Sequence, residues 1–239
     1  MLWDVDFTLV HTPKVGVELY RLAFAELYGG ELPAAAAGAN MAGRTDRAIA
    51  LDVLSLAGIA DPASEVSRFE ATLSKLSPGM ATLAAELGRT MPGVPEALAA
   101  LAELRPSGVR QSLLTGNVRA MAEVKLAAFG LTEHLDLDVG AYGNESAVRG
   151  DLVSHARERA GAAYGADYSG EATVLVGDTP LDVEAALAAG ARGVGVATGR
   201  FSLAELEAAG AHAALPDLSD TAQVLAAILD PADYQPRSA

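Results

Sequence analysis

The chain begins with an apolar run that two acids interrupt. Met1, Leu2 and Trp3 precede Asp4-Val5-Asp6, and Phe7-Thr8-Leu9-Val10 resumes the apolar character. Residues 1–10 therefore read as a buried strand leading into a turn. From Val15 to about Glu86 the spacing becomes helical. Val17, Tyr20, Phe24 and Leu27 recur until Gly29-Gly30 stops them, a second helix fits Thr45 to Leu56, and Val66, Phe69, Leu73 and Leu76 mark a third. No strand pattern breaks this stretch, which reads as a helical insertion. At Met91-Pro92-Gly93-Val94 the punctuation changes, and strands begin to alternate with helices. Strands fit 109–115, 135–141, 172–178 and 193–198. Helices fit Val94 to Leu104, Met121 to Ala128, Leu152 to Tyr164, Leu181 to Ala189, Leu203 to Ala209 and Val224 to Leu229. The closing DPADYQPRSA reads as a frayed tail.

Alternation of this kind implies an α/β fold, a three-layer Rossmann-like parallel sheet with helices on both faces and one inserted helical domain. The expected boundaries are 1–13 and 88–230 for the core, 14–87 for the insertion and 231–239 for the tail. A hydrophobic fraction of 51% in 239 residues supplies a packed core and argues against disorder. The formal net charge of -14 disfavours a nucleic-acid backbone or an anionic membrane as partner, while leaving room for a small anion held by local cations. There are no cysteines, so thiolate metal sites and cysteine nucleophiles are excluded. With an N-terminus that does not read as a signal peptide and no membrane-length apolar run, a soluble cytoplasmic protein is expected.

In parallel sheets ligands bind beyond the carboxyl ends of the strands, so the polar residues there should add up to one chemistry. The first strand ends in Asp4-Val5-Asp6-Phe7-Thr8, a second in Thr115-Gly116-Asn117, and another in Gly177-Asp178-Thr179, with Asp182 one helical turn on. Alone, the Asp-x-Asp pair reads as a solvated turn. Gathered carboxylates repel one another and must share a hard cation, and an oxygen-only donor set suits magnesium. A carboxylate beside such a cation can also attack phosphorus.

DVDFT, LLTGN and LVGDTPLD, in that order, resemble the motifs of the haloacid dehalogenase superfamily, in particular its phosphoglycolate-phosphatase-like branch with a helical cap after the first motif. AGRTD at 42–46 and MPGVPEALAAL at 91–101 are similar to that branch as well. The resemblance spans about residues 1–230. It implies a magnesium-dependent phosphatase that hydrolyses a small phosphorylated metabolite through an aspartyl-phosphate. By the same resemblance Asp4 would be the nucleophile and Asp6 the acid and base. Thr115, Gly116 and Asn117 would hold the phosphoryl oxygens. Asp4, the Asp6 carbonyl and Asp178 would bind Mg2+, with Asp182 in or just behind that set. Arg44 in the cap would contact substrate.

The family's cation, commonly a lysine before proline near a helix start, has no such dipeptide here. Arg149 in SAVRGDLV stands at a similar place, with Lys125 in EVKLAAFGL as the alternative. Arginine suits phosphate oxygens, whereas Lys125 by default reads as a solvated helix charge. Phe7 occupies the place where the family usually carries glycine, so the turn after Asp6 should differ in shape. Only three residues precede Asp4, so either the first strand is short or the start has lost residues.

Other readings are weaker. GVGVATG at 193–199 has its third glycine one place late for a dinucleotide loop, and DVDFTLVHT lacks the glycine and final acid of a calcium loop. None of the four histidines shows metal spacing, and His11 stands out only by its nearness to the first motif. Carbon–halogen hydrolysis would need neither Asp6 nor Asp178. A sugar-phosphate mutase shares the core, and a phosphonate hydrolase would need an amine such as Lys14 or Lys75. A non-catalytic module is the reading from another class. A homodimer through an apolar cap stripe completes the expected partners.

Overall fold

The computed structural model describes residues 1–229, so the expected tail at 231–239 lies outside the described residues. In chain order the strands are β1 (Leu2–Trp3), β2 (Val10–His11), β3 (Arg89–Thr90), β4 (Ser112–Leu113), β5 (Val174–Gly177), β6 (Arg192–Val196) and β7 (Ala213–Leu215). The α-helices are α1 (Val15–Tyr28), α2 (Ala34–Ala37), α3 (Asp46–Leu56), α4 (Pro62–Leu76), α5 (Ala81–Leu87) and α6 (Val94–Ala102), then α7 (Arg119–Ala127), α8 (Arg149–Tyr164), α9 (Pro180–Ala188), α10 (Leu203–Ala208) and α11 (Thr221–Ile228).

Five strands form a parallel sheet in the order β4-β1-β5-β6-β7. Alternate residues of each strand face opposite layers, as the two-residue period of a strand requires. Trp3, Val174 and Val176 pack with Val94, Leu98 and Leu101 of α6, Leu126 of α7 and Val224 of α11. Leu2 and Leu175 face the other way, onto Leu152, Val153 and Ala156 of α8 and Ala185 and Ala186 of α9. The architecture is therefore the expected three-layer α/β sandwich. The Trp3 indole N–H, buried in this core, donates to Gln111 Oε1 at 3.2 Å, which removes the cost of a lone buried donor.

The stretch expected as one strand over 1–10 is instead broken. Only Leu2–Trp3 lies in the sheet; the chain then turns, with an isolated bridge between Asp6 and Val10. Val10–His11 pairs antiparallel with Arg89–Thr90, so β2 and β3 form a ribbon under the helices α1–α5. Those helices share their own apolar cluster, centred on Phe24, Leu54, Phe69 and Leu73, and it extends to Val118 and Met121 at the start of α7. Val17 leaves the expected helical stripe: it is 47% exposed, and Val15, Leu19, Tyr20 and Ala23 are buried in its place.

Residues 135–141 were expected as a strand and form a 3-10 turn over Leu137–Val139. The Asp136 carboxylate accepts from the Asp138 N–H at 3.0 Å and bends the backbone off strand geometry. Strand-like pairing survives only as a bridge between Leu114 and Ala141. The short edge strand β7 escapes the hydrophobic pattern because two of its three residues are alanine, a poor strand former.

Candidate active site

Of the polar residues expected at the strand ends, Asp4, Asp6, Gly116, Asn117 and Asp178 line one cavity of about 280 Å³, together with Arg149 of the core and Tyr20 and Arg44 of the helical insertion, whereas Asp182 lies behind it. Asp4 follows β1 directly and is anchored there, its N–H donating to Val176 O at 2.9 Å. Asp178 follows β5. Asp182 sits at the third position of α9, in a capping box with Thr179, whose N–H and hydroxyl donate to Asp182 Oδ2 at 3.1 and 2.7 Å.

One carboxylate oxygen each from Asp4, Asp178 and Asp182 lies within 4.8 Å of the others, and all three residues are buried. Burial, together with the neighbouring carboxylates, pushes the Asp178 carboxyl up to about 9. Asp4 is raised to about 7, chiefly by burial and partly offset by the Arg149 guanidinium. The Asp178 carboxylate makes no hydrogen bond or ion pair with another side chain among the described residues, although the residue is buried. A divalent cation with oxygen ligands would satisfy that charge, so the residues present fit the expected metal. Gly199 lies close against this carboxylate, and a Cβ there would overlap Asp178 Oδ2. The last glycine of GVGVATG thus has a steric reason unrelated to dinucleotide binding, and sequence alone offered no signal for it.

The two candidate cations are both buried, and each serves a different acid. Arg149, at the start of α8, places Nη2 2.7 Å from Asp4 Oδ1 and 2.6 Å from Asp182 Oδ1. Burial works against its charge, but Asp182 and Asp4 outweigh it and hold the guanidinium above its ordinary value. Lys125 is only 3% exposed, contrary to the expectation of a solvated charge. Its ammonium donates to both oxygens of Asp6 at 2.7 Å and to Asn117 Oδ1 at 2.8 Å, which uses all three N–H groups. Burial raises the Asp6 carboxyl, yet Lys125 and the Asn117 amide overcome that and hold it below the usual carboxylate value. The nine-residue spacing to Gly116 concealed this contact, because it depends on which face α7 turns inward.

Thr115 is fully buried and, unlike Gly116 and Asn117, does not line the cavity. Its Oγ1 accepts from the Asn117 amide at 2.8 Å, and its own proton has no acceptor among the described residues. The N–H groups of Val5, Asp6 and Gly116 likewise have no acceptor among the described residues. These donors beside Asp4 suit the oxygens of an anion.

In the AGRTD segment, Arg44 lines the cavity. Its guanidinium turns onto Asp52 at 2.8 Å and onto the carbonyls of Asn40 and Ala48, within the insertion. Thr45 caps α3 by accepting from the Ala48 N–H. Asp46 instead bridges to the core. Its N–H donates to Gly116 O at 2.7 Å, and its carboxylate accepts from Val118 N–H at 2.7 Å and the Tyr20 hydroxyl at 2.8 Å. Burial pushes its carboxyl up to about 6.

Comparison with known proteins shows the family. A model of the haloacid dehalogenase-like hydrolase family matches residues 1–187, and the chain belongs to that family. It is 31% identical over 246 residues to a protein of Cupriavidus necator named phosphoglycolate phosphatase, plasmid, with 99% of this chain and 95% of the relative covered. A hydrolase structure from Pseudomonas syringae matches with a TM-score of 0.66 and 21% identity over 96% of this chain and 98% of that one. A haloacid dehalogenase-like hydrolase of Streptococcus pneumoniae matches with a TM-score of 0.58 and 16% identity, covering 94% and 95%. These two structures establish the likeness of fold.

Proposed function

We propose that the protein is a magnesium-dependent phosphatase that hydrolyses a small phosphomonoester through a phosphorylated Asp4. The observation that carries this reading is the buried Asp4–Asp178–Asp182 cluster beside the Asp4–Arg149 pair. The similarity to a protein named phosphoglycolate phosphatase supports it and makes 2-phosphoglycolate the first substrate to try.

In this mechanism Asp4 Oδ attacks phosphorus. The new P–O bond to Asp4 forms as the ester P–O bond breaks, and the leaving oxygen takes a proton from Asp6. Water then attacks the aspartyl-phosphate and gives its proton to Asp6, which restores Asp4 and releases inorganic phosphate. Lys125 favours the anionic Asp6 that this second step requires. Arg149 orients Asp4 and, with the unpaired N–H groups of Val5, Asp6 and Gly116 and the free proton of Thr115, stabilises the oxygens of the transferring phosphoryl group. Asp4, the Asp6 carbonyl and Asp178 would hold Mg2+, with Asp182 supporting them through its contact with Arg149. When bound, the ion offsets repulsion between the carboxylate and the phosphate dianion. The helical insertion acts as a cap that covers the cavity and limits water access.

The deciding experiment measures phosphate release from a panel of phosphomonoesters, with and without Mg2+, for wild type, Asp4→Asn and Asp6→Asn. Turnover that requires the metal and disappears in Asp4→Asn is expected. Unchanged turnover by Asp4→Asn would remove Asp4 as nucleophile and with it the proposed mechanism.

A further inference from the structure

The turn after Asp6 carries a residue whose conformation and exposure are both unusual. Phe7 has φ 60, a left-handed backbone that a residue with a Cβ tolerates poorly. The backbone is held there from both sides: the Phe7 N–H donates to Val10 O at 2.7 Å, and its carbonyl accepts from the Thr198 hydroxyl at 2.5 Å. Despite the strain, the aromatic ring is 40% exposed and stacks on His11 with centroids 4.6 Å apart and planes at 27°. Both rings line the cavity that contains Asp4 and Asp6. Strained residues concentrate at functional sites, where something other than stability retains them.

We propose that the Phe7 ring, backed by His11, is the platform for the leaving group, and that it favours phosphomonoesters with a planar, apolar leaving group over small polar ones such as glycolate. The inference deepens the phosphatase reading and rests on it. Asp6 has to reach the leaving oxygen in order to protonate it, and Phe7 is the next residue along the same wall. The ring therefore flanks whatever that oxygen carries. Val17, exposed where helix periodicity would bury it, lines the same cavity, and Met41 and Ile49 add apolar surface from the cap. Exposed apolar groups gathered at one cavity mark a surface that an apolar ligand covers.

The charges point the same way. A second carboxylate on a substrate would need a cation of its own. Arg149 faces Asp4 and Asp182, Lys125 faces Asp6, and Arg44 faces Asp52. Of the lysines and arginines that line the cavity, only exposed Lys14 has no ion pair among the described residues. The wall next to Asp6 offers an aromatic face in its place.

The test compares benzyl phosphate with ethyl phosphate, esters of alcohols with similar acidity, so that the ratio of their kcat/KM values reads contact and not leaving-group chemistry. Wild type and Phe7→Gly are assayed with Mg2+. The ratio is expected to fall by roughly threefold to tenfold in Phe7→Gly, the scale of one aromatic contact. Phe7→Leu should give an intermediate ratio, because it keeps apolar area without the plane. In parallel, calorimetry measures binding of benzylphosphonate and ethylphosphonate, which cannot be hydrolysed at the carbon–phosphorus bond by this route. Their affinity ratio should fall by the same factor in Phe7→Gly. An unchanged binding ratio overturns the platform whatever the enzyme hydrolyses. A ratio that falls while neither ester is turned over supports the platform and removes the phosphatase reading.

Discussion

Replacing Arg149 with methionine is the sharpest probe of how the acid cluster is held together. Methionine keeps part of the apolar stem and removes the guanidinium that lies 2.7 Å from Asp4 and 2.6 Å from Asp182. At an effective dielectric of about 20, each contact corresponds to about 6 kcal/mol of Coulomb energy. Most of that is not lost, because the guanidinium's own desolvation cost disappears with it and the cluster can relieve its repulsion by taking up a proton. Removing one partner of a buried pair typically costs 3–5 kcal/mol, and these reliefs place the expected loss at about 3 kcal/mol. Urea unfolding followed by far-ultraviolet circular dichroism, in EDTA near neutral pH, measures it directly. Added Mg2+ should recover part of the loss, by about 2.7 kcal/mol if the free ion is a hundredfold above its dissociation constant. Turnover should fall by roughly a hundredfold or more, as when one oxyanion donor is removed. A variant within about 0.5 kcal/mol of wild type in EDTA, a difference no larger than an ordinary surface substitution, would refute the reasoning.

The metal-free protein should lose stability as pH rises. Asp4 and Asp178 are raised in the fold to about 7 and about 9, so both bind protons more tightly folded than unfolded. Their contribution is complete below about pH 4 and is lost as pH rises through those values; a melting temperature in EDTA that climbs between about pH 5 and about pH 9 would contradict this. Gly199→Ala pushes a methyl into Asp178 Oδ2, so the Mg2+ concentration for half-maximal activity should rise about tenfold, a cost near 1.4 kcal/mol, while the circular dichroism spectrum stays native. An unchanged Mg2+ requirement would mean that Asp178 is not a ligand. Lys125→Met frees Asp6 from the ammonium that holds its carboxyl down. The acid limb of the pH–rate profile should then move to higher pH, and the fold should lose only about 1 kcal/mol because Asp6 is partly exposed. A limb that stays in place would show that Asp6 does not set it.

The layer architecture was legible because it follows from periodicity that the chain states openly. ATVLVGD announces β5 by the buried apolar run Val174-Leu175-Val176, and Pro180-Leu181-Asp182 after Thr179 announces the start of α9 by capping chemistry. Thr115, Asp178 and Asp182 could be placed together because parallel strands deliver their carboxyl ends to one edge. The failures have local causes. Periodicity assigned Val17 to the core, but the helix turns that residue toward the cavity. The polarity of 135–141 suited a strand until Asp136 bonded to its own backbone. Lys125 looked solvated because a helical pattern says how far apart charges lie, not which distant acid a buried face will meet.

The allocation of cations explains why an apolar strand end can carry Asp4 and Asp6. Arg149 meets the first and Lys125 the second, and the cap keeps its own pairs, Arg47 with Glu70 and Arg44 with Asp52. Among the described residues, Asp178 is the buried acid of the cluster that no side chain meets, which is the arrangement expected of a ligand whose counter-charge comes from outside the chain. Asp46 adds a mechanical link. It ties Tyr20 of the cap to Gly116 and Val118 on either side of Asn117, the residue that shares Asp6 with Lys125. Displacing the cap would therefore disturb the loop that positions Asp6.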